Sequence, residues 1–177
     1  SDVASTYLLV RELDLQLEYV LCTHAHPGDP AVADVIRSRT AAKVAAGERA
    51  PVTADLRLRH GDAITFGHEV IHVLGTPGHT PGSICFEVTD GSRTIVFAGD
   101  TLFRRSIGRT DLPRGDHATL LRSIKEQLLT LPDDTTFLPG HGPTSRLCSK
   151  QPRSPRSGSL TAPSKTTPTA LSPREDR

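Results

Sequence analysis

The sequence predicts an α/β protein in which sheet layers are covered by helices. Three observations indicate this class. Strand and helix signals alternate along the first 146 residues, several strands come in pairs, and four predicted strands end in Gly/Pro-rich turns that carry His or Asp. The chain has 177 residues, of which 36% are hydrophobic. This is enough for a single domain with a core of its own.

The first part of the chain combines two helix signals with a strand. Apolar residues at positions 3, 7, 10 and 13 have helical spacing and predict a helix over 3–13. A short apolar run over 18–22 predicts a strand that ends in a His-rich turn. Asp29 and Pro30 suit the N-cap and first-turn positions of a helix over 31–39.

The middle of the chain is rich in strand signals. A short strand is expected over 43–46. The runs 63–66 and 70–74 are separated by Gly-His and predict a hairpin. The runs 83–88 and 93–98 flank an Asp-Gly turn and predict a second hairpin.

The last part of the body contains an amphipathic helix and one more strand. Leucine and isoleucine recur on one side of 118–129, which predicts the helix, and 136–138 predicts a short strand. From Ser149 onward the chain holds six basic and two acidic residues, five prolines and no aromatic residue. We therefore expect a domain over 1–146 and a disordered Ser/Pro/Arg-rich tail over 147–177.

Composition excludes several classes of function. The net charge is +1, which gives no reason to expect nucleic acid or an acidic membrane surface as a partner. No apolar run approaches the length that crosses a bilayer. The three cysteines, Cys22, Cys85 and Cys148, are an odd number without paired spacing and favour a reducing compartment, so we expect a cytoplasmic protein.

Four turns, each after a predicted strand, present side chains that bind metals. Imidazole nitrogen and carboxylate oxygen suit Zn²⁺, and also Fe or Mn. A lone histidine in a Pro-Gly turn is usually a surface residue, but four such turns in order are a specific pattern. It predicts a metal site that contains His24, His26, His79, Asp100 and His141.

The same turns carry a family resemblance. The order T-H-A-H, G-H, G-D, G-H, with the strings TPGHTPGS (76–83), GDTLFRRSIGRTDLPRGD (99–116) and PGHGPTS (139–145), resembles the metallo-β-lactamase-fold hydrolases over residues 3–146. The single-domain glyoxalase II-like branch, of hydroxyacylglutathione hydrolase type, is the most similar. The resemblance implies an αββα sandwich with a metal site at one edge of its two sheets.

The resemblance also implies a ligand set. His24, His26 and His79 would hold a first metal, Asp100 would bridge, and His141 would belong to a second metal. The chain departs from the family after His26, where the sequence is Pro-Gly-Asp-Pro. With either alignment at least one ligand of the second metal is absent.

Asp29 is the remaining candidate in this segment. It would be a ligand and would help to orient the attacking water, or it would cap the helix that follows. We therefore expect a nearly intact first site and a weakened second site, with one or two ions bound and activity reduced. The family also has strands before the helix predicted over 3–13, so we expect this chain to lack the N-terminal strands of the fold.

The implied activity is that of a Zn-dependent thioester hydrolase. A metal-bound hydroxide would attack a small-molecule thioester such as S-D-lactoylglutathione, with Asp29 and Asp100 in catalytic roles. The resemblance places Arg109, Thr110 and Asp111 beside the site, where they would hold the ligands in position. A contact between Arg109 and a substrate carboxylate is an alternative role. The oligomeric state is left open.

Two other functions fit the same residues. The first is that of a persulfide dioxygenase-like enzyme of the same fold with one Fe, for which His24, His79 and Asp100 would supply two imidazoles and one carboxylate. The second is that of a degenerate, non-catalytic member of the fold. Metal content separates the three hypotheses.

Overall fold

The computed structural model of the chain describes residues 16–26 and 31–147. The helix predicted over 3–13, the capping residues Asp29 and Pro30, and the tail from residue 148 lie outside the described residues. The elements are the strands β1 (Tyr19–Cys22), β2 (Lys43–Gly47), β3 (Leu56–Leu58), β4 (Ala63–Phe66), β5 (Glu69–Gly75), β6 (Ile84–Asp90), β7 (Arg93–Gly99), β8 (Leu102–Phe103), β9 (Ser106–Ile107), β10 (Thr136–Pro139) and β11 (Ser145–Arg146), and the helices α1 (Ala31–Arg39) and α2 (His117–Ser123), the latter continued by a π-helical turn (Ile124–Leu128).

The strands form two main sheets and one small hairpin. The first sheet has the order β1-β2-β3 and is parallel throughout. The second has the order β11-β10-β7-β6-β5-β4, in which β10 runs parallel to β7 and the other neighbours are antiparallel. Among the described residues, strands β8 and β9 pair only with each other.

Three apolar clusters join these elements into four layers. The first lies between α1 and the three-stranded sheet and includes Ala33 and Val44. The second joins the two sheets through side chains such as Ala45 and Phe86. The third covers the other face of the six-stranded sheet with α2 and includes Leu120. The order helix, sheet, sheet, helix is the αββα sandwich that the resemblance implied.

Side-chain alternation places the six-stranded sheet between two cores. In β6, Phe86 points toward the three-stranded sheet, whereas Cys85 points toward α2. Strand β2 is buried at four consecutive positions because it is the central strand of a parallel sheet with layers on both sides.

The predicted elements within the described residues are present, with small shifts at their ends. The structure adds the short strands β3, β8, β9 and β11, which are too short to show a periodic pattern. The helix predicted over 118–129 begins at His117 after an Asp116 N-cap and changes to π-helical geometry at Ile124. Leu147, which the sequence analysis assigned to the tail, is buried in the α2 cluster.

The strand directions bring the ligand-bearing turns together. Strands β5, β7 and β10 run in the same direction, so their C-terminal ends lie at one edge of the six-stranded sheet. The end of β1 joins this edge because the Thr23 carbonyl accepts a hydrogen bond from the Ile84 amide at 2.8 Å. No helix among the described residues is both long and apolar enough to cross a membrane.

Candidate metal centre

Three histidine rings meet where these strand ends converge. The rings of His24, His26 and His79 are mutually edge-on, with centroids 4.9 to 5.4 Å apart. Each residue offers one ring nitrogen, and these three nitrogens lie within 4.8 Å of one another. The Nε2 atoms of His26 and His79 are 3.2 Å apart. The chain therefore brings the imidazole of His79 to two imidazoles that lie more than 50 residues earlier in the sequence; His26 and His79 are 53 residues apart.

His79 is the most buried of the three, with 3% of its surface exposed. Its Nδ1 lies 2.7 Å from the main-chain carbonyl oxygen of Arg109. A carbonyl only accepts hydrogen bonds, so Nδ1 carries the proton and, in the neutral ring, Nε2 carries a lone pair. A backbone contact of this kind fixes the tautomer that a metal ligand needs.

Asp100 lies on the open side of the histidine cluster. Its Oδ2 is 3.9 Å from Nε2 of His24 and 3.9 Å from Nε2 of His79. Its Oδ1 accepts a hydrogen bond from Nδ1 of His141 at 3.1 Å. One oxygen of the carboxylate thus faces two imidazoles, and the other oxygen accepts a hydrogen bond from a third imidazole.

The two ends of this arrangement differ in exposure. The side chain of Asp100 is 15% exposed, whereas that of His141 is 80% exposed. Among the interactions of the described residues, the bond to Asp100 is the one that positions the His141 ring. His141 is therefore placed at the rim of the site.

Burial governs the charge state of His24. Loss of solvent lowers the pKa of this imidazole below its ordinary value, and the neighbouring carboxylate of Asp100 opposes this effect. The other histidines lower the pKa further. His24 is therefore held in the neutral form, whose lone pair a metal can bind, down to lower pH than a free histidine.

Two glycines allow the backbone to pass close to these ligands. A Cβ on Gly108 would overlap the carbonyl oxygen of Asp100 and would lie 3.3 Å from Cβ of His79. Gly99 has a positive φ of 48°, and a Cβ there would crowd the Thr23 side chain. The sequence pattern marked glycines near the ligands in general, but the specific role of Gly108 depends on the tertiary contact.

A buried hydroxyl network below the site was not foreseen from the sequence. The Oγ1 atoms of Thr76 and Thr101 are 3.1 Å apart. The Sγ atom of Cys85 lies 3.3 Å from Oγ1 of Thr76. All three residues are at most 2% exposed. Thr76 and Thr101 stand next to the turns that carry His79 and Asp100, so the network ties these two turns together.

The segment 109–111 lies beside the site in a specific way. Arg109 contributes its carbonyl oxygen to His79, while its guanidinium donates two hydrogen bonds to the carboxylate of Asp111, at 2.9 and 2.8 Å. Thr110 lies against Gly115, and a Cβ on Gly115 would crowd the carbonyl of Thr110. Asp29 lies outside the described residues.

The donor set fits a divalent transition metal. Two ligands of one ion, each about 2.1 Å from it, are at most about 4.2 Å apart. The separations of 3.2 and 3.9 Å measured within this cluster lie below that limit. The His79 lone pair also faces the electron-rich Oδ2 of Asp100, and a cation between them would remove the repulsion.

Comparisons with known proteins agree with this geometry. The family model described as "Metallo-beta-lactamase superfamily" matches residues 33–141. The human mitochondrial persulfide dioxygenase ETHE1 is 37% identical over 134 residues, which are 75% of this chain and 52% of that protein. The chain thus spans about half the length of this curated relative.

Solved structures give the same result. ETHE1 from Myxococcus xanthus has a TM-score of 0.75 and 37% identity, and the match covers 82% of this chain and 64% of that one. TTHA1623, solved in a di-iron-bound form, has a TM-score of 0.69 and 29% identity, over 83% of this chain and 81% of that one.

These relatives bear on two predictions, that of the superfamily and that of the branch within it. The superfamily and its fold are confirmed. The glyoxalase II-like branch is not confirmed: the human relative, which matches 75% of this chain, is named a persulfide dioxygenase, and ETHE1 from Myxococcus xanthus matches 82%. Iron stands beside zinc as a candidate metal, since one of the matching structures holds two iron ions. With its four-layer fold and its cluster of histidines at the sheet edge, the chain belongs to the metallo-beta-lactamase superfamily.

Proposed function

We propose that the chain carries the metal centre of a persulfide dioxygenase of ETHE1 type, with one iron held by His24, His79 and Asp100. The observation that carries the proposal is that Nε2 of His24 and Nε2 of His79 are equidistant from Oδ2 of Asp100, at 3.9 Å. Two histidines and one carboxylate with open positions are the ligand set of non-haem Fe(II) oxygenases. The likeness to ETHE1 proteins supports the choice of substrate.

The residues of this chain would hold and orient this set. The Arg109 carbonyl keeps Nε2 of His79 unprotonated, and the hydrogen bond from His141 turns Oδ2 of Asp100 toward the two imidazoles. Two neutral rings and one carboxylate leave a bound divalent ion with a net positive charge, which attracts an anionic persulfide. When bound, iron supplies the one-electron redox chemistry toward dioxygen that side chains lack.

The reaction balances without a further reductant. A persulfide, R–S–S–H, reacts with one O₂ and one water to give the thiol R–S–H, hydrogen sulfite and one proton. The two sulfur atoms together lose four electrons, dioxygen gains them, and the S–S bond breaks as the thiol leaves. The substrate class is therefore a low-molecular-weight thiol persulfide, with glutathione persulfide as the test compound.

Thioester hydrolysis is the second candidate, and one contact favours it. His26 places its Nε2 3.2 Å from that of His79, so a third imidazole stands where a zinc hydrolase of this fold would use it. In this alternative His24, His26 and His79 hold Zn²⁺, Asp100 is shared and His141 holds a second ion. The substrate would be a glutathione thioester.

The two functions predict opposite results for His26. The purified protein is analysed for Fe and Zn, then assayed for oxygen uptake with glutathione persulfide and for hydrolysis of S-D-lactoylglutathione. We expect about one Fe per chain and oxygen uptake with equimolar sulfite. His26→Gln should retain iron and oxygen uptake, whereas His24→Gln and His79→Gln should lose both. Two Zn per chain with thioester hydrolysis that depends on His26 would overturn the dioxygenase assignment.

A further inference from the structure

A concave site begins two residues after Asp100 in the sequence, at Leu102, and contains none of the candidate metal ligands. It is a cavity of about 320 Å³ between the β8–β9 hairpin, the end of the π-helical turn and strand β11. Its volume is at the lower end of the range found for small-molecule sites. We name it the arginine cavity, after the three arginines that line it: Arg104, Arg105 and Arg146.

Apolar side chains form part of the lining of the arginine cavity. Phe137 and Leu147 are 4% and 6% exposed and belong to the α2 core, while Leu129 is a large apolar side chain that is largely exposed. The exposed surface of Leu129 can contact the apolar part of a ligand.

The rim of the cavity is basic and is not neutralised. No Asp or Glu of the described residues lines it. Within residues 16–26 and 31–147, Arg104, Arg105 and Arg146 take part in no ion pair or side-chain hydrogen bond. Arg37, Arg59 and Arg109, by contrast, each pair with a carboxylate. Three guanidinium groups around one cavity, without a partner in the described part of the chain, are suited to an anion.

Arg105 adopts a backbone conformation that is unfavourable for a residue with a side chain. It lies in the two-residue loop between β8 and β9 with φ of 72°, in the left-handed region where glycine or asparagine is usual. A glycine would satisfy the backbone but would remove the charge. The arginine is therefore better explained by what its side chain binds than by the turn.

We propose that the arginine cavity binds a small organic anion, namely an aromatic or short aliphatic body that carries a phosphate or carboxylate group. The apolar side chains take the body and the guanidinium groups take the anion. The proposal does not depend on which metal the candidate centre holds or which reaction it performs. Strand β8 begins two residues after Asp100, so ligand at the cavity contacts the segment that carries this carboxylate.

Phenyl phosphate is a suitable probe because it combines both features. The ¹⁵N-labelled protein is titrated with phenyl phosphate, with inorganic phosphate (charge alone) and with benzyl alcohol (apolar body alone). We expect saturable shifts of the amide signals of Leu129, Phe137 and Leu147, with at least fivefold weaker binding of the other two compounds. Equal binding of inorganic phosphate, or shifts confined to the amides of His79 and Asp100, would overturn the proposal.

The chain offers a matched pair of variants. Arg105→Gly removes one guanidinium and relieves the positive φ, so it should weaken phenyl phosphate binding at least fivefold while the melting temperature stays equal or rises. Arg114 has the same φ of 72° but does not line the cavity, so Arg114→Gly should have a similar thermal effect and unchanged binding. If both variants bind phenyl phosphate as the parent does, and the double variant Arg105→Gly/Arg146→Gln does too, the cavity is not an anion site.

Discussion

The inner and outer halves of the metal centre are built differently. The inner half, His24, His26 and His79, is packed among strand ends, and His79 is 3% exposed with one ring nitrogen bonded to a backbone carbonyl. The outer half is represented by His141, which is 80% exposed and held by a hydrogen bond to Asp100. Asp100 belongs to both halves. The inner half is thus preorganised by the core and the outer half is not.

This difference has a consequence for metal affinity. A ligand whose ring is fixed before binding loses little conformational entropy when the metal arrives, whereas an exposed side chain must be ordered. We therefore expect one ion to bind tightly at the inner half, and a second ion, if it binds, to be removed easily. The four predictions below test this contrast, beginning with the largest expected effect on bound metal and ending with the smallest.

The largest effect is expected from the loss of a buried ligand. His79→Ala should reduce bound metal to below a tenth of the parent value and activity by at least about 100-fold, since even residues behind the ligands change affinity by about 10–100-fold. Metal per chain is measured by elemental analysis after dialysis. His141→Ala is the matched control and should keep about one ion per chain. Equal metal loss in the two variants would show that the inner half has no special role.

The next effect concerns the backbone contact at Gly108. In Gly108→Ala the new methyl group overlaps the carbonyl of Asp100 and crowds His79, so overpacking should destabilise the fold by about 1–3 kcal/mol. Bound metal should fall severalfold because both ligands must shift. Denaturant unfolding and elemental analysis measure the two quantities.

Gly91→Ala provides the control for this substitution. Gly91 has φ of 58° in the β6–β7 turn, and a Cβ there meets nothing within 4 Å. The substitution should destabilise the fold by about 1–2 kcal/mol through backbone strain and should not affect the site. Metal content in this variant should equal that of the parent. A metal loss as large as in Gly108→Ala would mean that general destabilisation, not ligand displacement, empties the site.

Much of the fold was predictable because local signals and tertiary structure agree. The hairpins β4–β5 and β6–β7 follow from alternating apolar residues around glycine-containing turns. Within the described residues, the short strands β8 and β9 pair only with each other over two residues, which leaves no periodicity to detect. The π-helical turn after Ser123 depends on how the helix packs on the sheet, and no local residue pattern encodes it.

The candidate site also contains some features that the sequence predicts and others that depend on tertiary packing. His24, His79 and Asp100 were predictable because each follows a strand in a turn that carries a motif. The carbonyl of Arg109 as the partner of His79 was not, since any residue has a carbonyl and only the chain path brings this one to the ring. The Thr76–Thr101–Cys85 network is likewise a product of strand packing.

A third prediction concerns Cys85, which lies in the core beneath the inner half. Burial raises the pKa of this thiol from 9.0 to about 11. The stability that Cys85 contributes is fully present below pH 9 and is lost as the pH rises through 11, because the unfolded thiol ionises first. This rise in the pKa corresponds to about 3 kcal/mol at most.

The measurement is the free energy of unfolding at pH 8, 9, 10 and 11 for the parent and for Cys85→Ala. Ionisation of other groups is common to both proteins, so the difference between the two curves isolates this thiol. The parent should lose more stability over this range than the variant. Parallel curves would mean that Cys85 ionises without opening the core, which would contradict its place under the inner half.

The smallest effect is expected from the side chain of Arg109. Its guanidinium is bonded through two nitrogens to Asp111, and both side chains are mostly exposed, so it is not free to bind a substrate carboxylate. Its contribution to the inner half is the backbone carbonyl, which Arg109→Ala retains. Metal content should be unchanged and the KM for glutathione persulfide should change by less than about twofold, the range expected for a surface ion pair. The arginine holds the pKa of Asp111 at about 2, so this pair persists above pH 4 and is lost as the pH falls toward 2. A large rise in KM with intact metal content would instead assign Arg109 to substrate binding. The functional site would then include an exposed side chain outside the inner half.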